Sequence, residues 1–264
     1  MLGHPFKTMI LHFQEYGNGP PLVILHGLLG SLDNWHTLSK IFAGSFRVLA
    51  VDQRNHGRSP HSEVMTYDAM AEDLSHLLDQ LHIPSAHVLG HSMGGKTAMQ
   101  FALSYPNRVD KLIVVDIAPR EYPRLHDEIL DALVSVDLNE ATSRQQVDGE
   151  LSKRIPDFAV RQFLMKNLIR DSVGTFSWKA NLEVLQRNYM EIAREITSPV
   201  PFPGPTLFVK GEQADYVLDS DVPMIEELFP NAHVVGVNSG HWIHAESPTV
   251  FADIVMSFLR AEPH

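Results

Sequence analysis

Short apolar runs recur along the chain and are separated by segments with helical periodicity. Runs rich in leucine and β-branched residues are typical of strands that are buried on both faces of a parallel sheet. They occur at residues 22–25, 46–51, 86–89, 111–115, 206–209 and 233–237. Strands that alternate with helices predict an α/β fold, with a mostly parallel twisted sheet flanked by helices.

Two helices can be placed from their apolar faces and their start signals. The first follows Thr66, a predicted N-cap, and its apolar face consists of Met70, Leu74, Leu77, Leu78 and Leu81. The second begins with Pro248, a residue favoured in the first turn of a helix, and buries Phe251, Ile254, Val255 and Phe258. Both helices are expected to pack against the sheet.

The pattern changes in the middle of the chain, where strand signals stop. Amphipathic helices are predicted at residues 127–136, 142–154, 158–169 and 181–196. Repeated prolines in residues 199–205 then prevent further helix and return the chain to the sheet. We therefore expect a core domain formed by residues 1–117 and 199–264, and a helical cap insertion formed by residues 118–198.

Composition narrows the classes of partner. The chain has 32 acidic against 21 basic side chains, a formal charge of −11, which argues against nucleic acid or anionic lipid. A small molecule of little or no charge fits better. The chain has no cysteine, which excludes disulfides, a thiolate nucleophile and cysteine-ligated metals.

No segment has the features of a membrane span or a leader. Residues 1–14 lack a basic start, a long apolar stretch and a small-residue cleavage site, and no apolar run approaches the length that spans a bilayer. The expectation is a cytoplasmic protein.

Ser92 is the strongest candidate for chemistry. It lies between Gly90 and Gly94, after an apolar strand and before a run of helix formers, which is the context of a G-x-S-x-G nucleophile elbow. Glycines let the strand and helix approach closely, so that the serine hydroxyl is exposed at a tight turn. The alternative is a plain turn whose serine caps the next helix.

A serine nucleophile needs a base, and His241 has the right position. It lies after the last predicted strand and before the final helix, where the chain order serine, acid, histidine places the base. His244, three residues later, is expected to pack on the following turn.

Two carboxylates compete to orient the histidine. Asp116 ends the strand after the nucleophile helix, and Asp215 follows the next strand of the sheet. Both lie at carboxyl ends of strands, where ligand sites of open α/β sheets gather. The residues alone favour Asp215 slightly, and either acid can instead cap a turn.

The oxyanion hole requires two backbone N–H groups aimed at the substrate oxygen. The glycine-containing turn at residues 26–30 follows a strand, and the N–H groups of Leu28 and Met93 are the predicted donors. A plain strand-to-helix turn is the alternative. The polar segment 52–60 is interpreted as a buttress, in which Asp52 or Arg54 holds neighbouring turns by hydrogen bonds.

Other chemistries lack their motifs. The chain has no phosphate loop, no dinucleotide fingerprint and no H-E-x-x-H zinc motif. His87 and His91 are four apart, but on a strand entering a turn, which is a poor arrangement for a metal. We predict no metal and no cofactor.

Taken together, the motifs resemble α/β-hydrolases, and more narrowly the bacterial YbfF-type esterases and their mitochondrial α/β-hydrolase-domain relatives. The residues that carry the resemblance are 26–35, 52–60, 90–96, 115–119 and 240–246. In that group the acid follows the strand after the nucleophile helix, which implies Asp116 here. The group usually has no acid at the position of Asp215, so this chain departs from the pattern and Asp215 stays the alternative.

The resemblance implies hydrolysis of carboxylic esters with short to medium acyl chains through an acyl-serine. A lactonase, for example on acyl-homoserine lactones, or an acyl-CoA thioesterase would use the same residues, and a non-catalytic ligand receptor is a distant alternative. Aromatic side chains of the insertion are candidates to line the acyl pocket, namely Tyr122, Phe158, Phe163 and Trp178. The sequence leaves the oligomeric state open.

Overall fold

A computed structural model describes residues 9–261 of the chain. Residues 1–8 and 262–264, which are the ends of the predicted core segments and most of the stretch searched for a leader, lie outside the described residues.

A seven-stranded sheet forms the centre of the protein, with the strand order β1-β3-β2-β4-β5-β8-β9. Every pair in it is parallel except β1 with β3, which confirms the predicted α/β class with a mostly parallel sheet. The strands are β1 (Phe13–Tyr16), β2 (Pro21–Leu25), β3 (Arg47–Val51), β4 (Ala86–His91), β5 (Val109–Val115), β8 (Thr206–Gly211) and β9 (Ala232–Val237). A separate antiparallel pair is formed by β6 (Leu168–Arg170) and β7 (Phe176–Trp178).

The helices lie between these strands and at the end of the chain. They are α1 (His36–Phe42), α2 (Tyr67–Gln80), α3 (Met93–Ser104), α4 (Asp127–Ser135), α5 (Arg144–Ser152), α6 (Phe158–Leu164), α7 (Leu182–Arg187), α8 (Tyr189–Ala193), α9 (Val222–Leu228), α10 (Ile243–Glu246) and α11 (Pro248–Arg260). The Thr66 hydroxyl accepts a hydrogen bond from Ala69 N–H, so the predicted cap of α2 is confirmed. The start of α11 at Pro248 is confirmed too.

The central strands are apolar at every position because both faces of the sheet are covered. In β2, Val23 and Leu25 belong to the apolar cluster under α2 and α3, while Leu22 and Ile24 belong to the cluster under α1 and α11. Alternate residues of a strand point to opposite faces, so a continuous apolar run fills both clusters. Burying each such side chain stabilises the fold by about 1.5–3 kcal/mol.

One strand of the seven-stranded sheet was missed because its pattern is weak. Strand β1 has half-buried and exposed residues, with no continuous apolar run. It pairs with β3 through its backbone at the edge of the sheet. An antiparallel edge strand needs only one buried face, so its sequence carries little signal.

The segment between β5 and β8 differs from the prediction in two places. The helix predicted at residues 158–169 ends at Leu164, where the Arg144 guanidinium donates to the carbonyls of Met165 and Leu168, and the chain then forms the hairpin of β6 and β7. The helix predicted at 181–196 is two short helices, α7 and α8, which meet at Asn188. The Asn188 side chain donates to the Val184 carbonyl at 3.0 Å, a local bond that competes with regular helix.

Within residues 9–261, none of the helices is long and apolar enough to cross a membrane.

Candidate active site

Ser92 is the single residue between β4 and α3, and it has a backbone conformation that L-residues rarely adopt. Its φ is 54° and its ψ is −120°. Its N–H donates to the Val115 carbonyl of the neighbouring strand at 2.9 Å, which fixes the turn to the sheet. Such strain persists only where the surrounding structure enforces it, and it is common at functional sites.

Glycines on both sides make this turn sterically feasible. A β-carbon at Gly90 would meet the Gly94 carbonyl oxygen at 2.0 Å, and one at Gly94 would meet backbone oxygens of Leu25 and His26 at 2.5 Å. Contacts this short do not occur between real atoms, so larger residues would displace the turn. The pattern therefore reflects close approach of β4, α3 and the turn after β2.

Asp116 follows β5 and is fully buried. Its backbone φ is 48°, and its N–H donates to the Val209 carbonyl of β8 at 2.8 Å. Its two carboxylate oxygens have separate partners: Oδ1 accepts from Gly211 N–H at 2.8 Å, and Oδ2 lies 2.7 Å from Nδ1 of His241. The carboxylate is thus held in one orientation toward the imidazole.

The loop that carries His241 is fixed from its C-terminal side by Glu246. Its carboxylate accepts from Ser239 Oγ at 3.0 Å, from Gly240 N–H at 2.6 Å and from Trp242 N–H at 3.3 Å. The Nε2–H of His91 donates to the His241 carbonyl at 2.9 Å, because a carbonyl can only accept. The His241 backbone is therefore restrained on both sides of its Cα.

The ring of Tyr216 restrains the imidazole itself. The two rings stack with centroids 3.7 Å apart and an interplanar angle of 19°. The Tyr216 carbonyl in turn accepts a hydrogen bond from the hydroxyl of Tyr122. The imidazole is left 18% exposed, on the side that faces a cavity.

The structure separates the two candidate acids. Asp116 lies against His241, whereas Asp215 is exposed at the surface, and its backbone carbonyl accepts from Arg120 at 3.0 Å. Asp215, favoured by position in the sequence, is thus not the acid beside the histidine. One residue later, Tyr216 turns inward instead, which the sequence did not indicate.

Burial governs the protonation of this pair. It lowers the pKa of His241 and raises the pKa of Asp116, because an apolar surrounding penalises both charged forms. The Gly211 N–H counteracts the rise for Asp116. With Nδ1 facing the carboxylate, the neutral imidazole keeps its proton on Nδ1 and leaves Nε2 as a base.

The loop predicted to form the oxyanion hole is held by two buried histidines. His56 Nε2 accepts from Leu29 N–H at 3.2 Å, and His26 Nε2 accepts from Gln53 N–H at 3.0 Å. Burial lowers the pKa of His26 to about 4 and that of His56 to about 3, so both rings stay neutral and keep accepting. The segment 52–60 thus supports the loop, as predicted; Asp52 also accepts from Leu32 N–H at 2.7 Å.

A cavity of about 280 Å³, called here the large cavity, opens over Ser92 and His241. Its walls are mostly apolar and come from the β2 and β9 loops and from the segment between β5 and β8. They include Leu125, Ile129, Val160, Phe163, Leu164 and Trp242.

A second cavity of about 40 Å³, called here the small cavity, extends from Ser92 in another direction. Leu28 and Met93, the two predicted oxyanion donors, both border it. The other walls include Tyr67, Lys96, Ile117, Tyr122 and Ile192. Leu28, Ser92, Leu125, His126 and Tyr216 border both cavities, so the two meet at the serine.

Two of the four predicted pocket residues line these cavities and two lie elsewhere. Phe163 borders the large cavity and Tyr122 the small one. Phe158 is 64% exposed, because the cavity face of α6 carries Val160, Phe163 and Leu164 and position 158 falls off that stripe. Trp178 lies in β7 and borders a separate surface groove with Leu182.

Several site residues carried no local signal. His126, Ile129 and Val160 reach the cavity only through the packing of α4 and α6 onto the sheet domain. The ring of His244 stacks on Trp35 with centroids 4.5 Å apart, rather than packing on the following turn as expected. The ring of His87 packs edge-on against Phe46, with centroids 5.6 Å apart.

Comparison with known proteins gives similarity along nearly the whole chain. A family model described as alpha/beta hydrolase fold matches residues 20–248. The sn-1-specific diacylglycerol lipase ABHD11 of Danio rerio is 40% identical, over 94% of this chain and 81% of that protein. Esterase YbfF of Escherichia coli (strain K12) is 37% identical, over 94% of this chain and 96% of the relative. A solved structure, a marine microorganism esterase, superposes with a TM-score of 0.93 at 42% identity and covers 95% of this chain and 100% of that one.

Proposed function

The chain belongs to the α/β-hydrolase fold family, and from that premise we propose that it is a serine-dependent carboxylic-ester hydrolase. The observation that carries the proposal is the 2.7 Å contact between His241 Nδ1 and buried Asp116, at a cavity that Ser92 also borders. The esterase and lipase names of the relatives support the same reaction class.

In the first half of the reaction, Ser92 Oγ attacks the ester carbonyl while His241 Nε2 takes the hydroxyl proton. Asp116 holds the imidazole in the tautomer that leaves Nε2 free and stabilises the imidazolium that forms. The N–H groups of Leu28 and Met93 donate to the oxyanion. His241 then gives its proton to the leaving alkoxide, and the C–O bond of the ester breaks.

In the second half, water replaces the alcohol. His241 Nε2 takes a proton from the water as its oxygen attacks the acyl-serine, and then returns that proton to Ser92 Oγ. The acid leaves and the enzyme is regenerated. The ester and water supply the atoms of the products, while side chains and backbone N–H groups transfer protons and stabilise charge, so the proposal includes no cofactor.

The same cycle accepts lactones and acyl thioesters, because only the leaving group differs. Acyl-homoserine lactones and acyl-CoA therefore stay alternative substrates, and the lipase name of one relative adds glycerides. We further propose that residues 118–198 act as a cap over the serine, since both cavities take walls from that segment. A cytoplasmic location stays a prediction.

Replacing the nucleophile tests the proposal directly. We expect Ser92→Ala to reduce kcat on a short aryl ester by about a thousandfold or more, because no other group can form the acyl intermediate. Turnover is measured at saturating substrate, with circular dichroism to verify the fold.

Ser257→Ala is the matched control, since Ser257 is an exposed serine of α11. A fluorophosphonate probe should label the wild type and Ser257→Ala but not Ser92→Ala, and excess ester should protect. Labelling of Ser92→Ala, or near-normal turnover by it, would refute the assignment, and an inert receptor would take up no label.

A further inference from the structure

The two cavities that meet at Ser92 differ about sevenfold in volume, 280 against 40 Å³. We propose that the small cavity binds the acyl group and the large cavity the alcohol, so that the preferred substrates are esters of neutral two- to four-carbon acids with bulky apolar alcohols. This inference rests on the proposed ester hydrolysis and specifies its substrate class.

The position of the general acid identifies the alcohol side. The leaving oxygen must lie within hydrogen-bond reach of His241, which transfers a proton to it. His241 borders the large cavity, and Trp242 continues the same wall. The alcohol therefore extends into the large cavity.

The acyl side follows once the two oxygens of the ester are placed. The carbonyl oxygen must face the N–H groups of Leu28 and Met93, and the leaving oxygen must face His241. Met93 and Ile117 line the small cavity, whereas His241 lines only the large one. The carbon chain attached to the carbonyl is thus directed away from His241, into the small cavity.

The volumes set the lengths of the two parts. A water-sized group needs about 10–15 Å³ of such a cavity. The small cavity therefore holds about three non-hydrogen atoms beyond the carbonyl, and the large one about twenty.

Three side chains that line the small cavity are held by hydrogen bonds, which oppose its enlargement by a longer acyl chain. Tyr67 donates from its hydroxyl to the Ile192 carbonyl at 2.5 Å, and the Tyr122 hydroxyl accepts from Ala118 N–H at 2.8 Å. Lys96 Nζ donates to the carbonyls of Arg120 at 2.9 Å, Ala193 at 3.0 Å and Arg194. An ammonium has three N–H donors, all used here, so Lys96 has none left for a charged acyl group.

Two isomeric esters separate the acyl and alcohol sides without changing composition. Octyl acetate and ethyl octanoate have the same atoms and the same kind of primary leaving alcohol, but the long chain is on opposite sides of the ester. We expect kcat/KM of the wild type, measured by pH-stat titration, to be at least about thirtyfold higher for octyl acetate.

A pair of isoleucine variants assigns the effect to the small cavity. Ile192→Ala enlarges the small cavity, and we expect it to lower the preference for octyl acetate at least about threefold. Ile129→Ala removes the same atoms from the large cavity, so the discrimination against ethyl octanoate should persist. The wild-type comparison decides the inference even if a variant fails to fold.

The possible results distinguish a failure of the cavity assignment from a failure of the proposed ester hydrolysis. Equal rates, or faster hydrolysis of ethyl octanoate, overturn the assignment of the cavities while ester hydrolysis stands. If neither ester is hydrolysed and the fluorophosphonate does not label Ser92, the proposed function falls and the inference falls with it.

Discussion

Two residues of the candidate triad hold backbone conformations with positive φ, and both are fastened to strands. Ser92 has a φ of 54° and Asp116 a φ of 48°. Each donates its N–H to the carbonyl of a neighbouring strand, Val115 for Ser92 and Val209 for Asp116. Such conformations cost about 1–3 kcal/mol each. Hydrogen bonds to the sheet thus offset the strain of the two turns that present these side chains at the carboxyl ends of β4 and β5.

The choice of acid can be tested by matched amide substitutions. We expect Asp116→Asn to reduce kcat about ten-thousandfold, because an amide at Oδ2 favours the wrong imidazole tautomer. Asp215→Asn makes the same chemical change at an exposed position and should change kcat by less than about twofold.

Both variants are assayed on one ester under saturating conditions. Equal small losses would mean that neither carboxylate orients His241. A large loss for Asp215→Asn alone would restore the acid favoured by sequence position.

For single residues, the sequence was most informative at turns whose backbone geometry admits few residue types. The glycines at positions 90 and 94 indicated the tight turn at Ser92, and the order along the chain indicated His241. Tyr216 was missed because its contact with His241 joins two loops that are distant in sequence, and no spacing rule reports such a contact.

At the scale of elements, helix α3 follows the serine and also binds the segment between β5 and β8 through Lys96. Its fully buried Lys96 donates to Arg120 on one side and to Ala193 and Arg194 on the other, which are the two ends of the segment between β5 and β8. Both ends are therefore tied to the helix that begins after Ser92. The Lys96 ammonium thus joins the helix that follows the serine to the segment that borders both cavities.

We expect Lys96→Met to lower the free energy of unfolding by about 3 kcal/mol and to weaken the acyl-length preference. Three carbonyls lose a charged donor, and a buried acceptor without a partner costs about 1–3 kcal/mol. Urea unfolding and the ratio of the two isomeric esters measure the two effects.

Lys111→Met is the matched control. Lys111 Nζ likewise donates to three carbonyls, those of Phe258, Leu259 and Ala261 at the end of α11. It should lose a similar amount of stability while the ester ratio stays that of the wild type. Identical changes in the ratio for both variants would contradict a special role of Lys96.

Element types were predicted well where strands are buried on both faces. The sequence did not predict element ends that depend on tertiary hydrogen bonds. Helix α6 ends at Leu164, the Arg144 side chain of α5 donates to the Leu168 carbonyl beyond it, and a hairpin replaces the last turn that was predicted. Periodicity within one segment cannot report a partner from another element.

At the scale of the whole molecule, buried neutral histidines link folding to pH. His26 and His56 are buried, and burial lowers their folded-state pKa values to about 4 and about 3. In the unfolded chain both titrate near the ordinary value of about 6.5. Between pH 6.5 and these values the unfolded state binds more protons, so stability falls as the pH falls.

His56→Gln isolates one contribution. We expect the free energy of unfolding of the wild type to fall by about 2 kcal/mol more than that of His56→Gln between pH 7.5 and pH 5.0, by urea unfolding at each pH. Exposed His233→Gln is the control and should follow the wild type. A wild-type slope in His56→Gln would show that this ring does not drive the acid sensitivity.

The overall architecture was predictable because alternation of strands and helices leaves few arrangements. The cavities were not, because their volumes depend on how α4, α6 and α8 pack over the sheet. Side chains such as Phe158 and Trp178 are equally aromatic in the sequence whether they face the serine or the solvent.

The strands on either side of residues 116–205, β5 and β8, are neighbours in the sheet. A segment that leaves and rejoins at adjacent strands can change in length or residue content without altering the register of the sheet. Natural selection can therefore reshape the walls of both cavities by insertions and replacements there, while the turn at Ser92 stays as it is. Part of each cavity wall is therefore encoded apart from Ser92, Asp116 and His241.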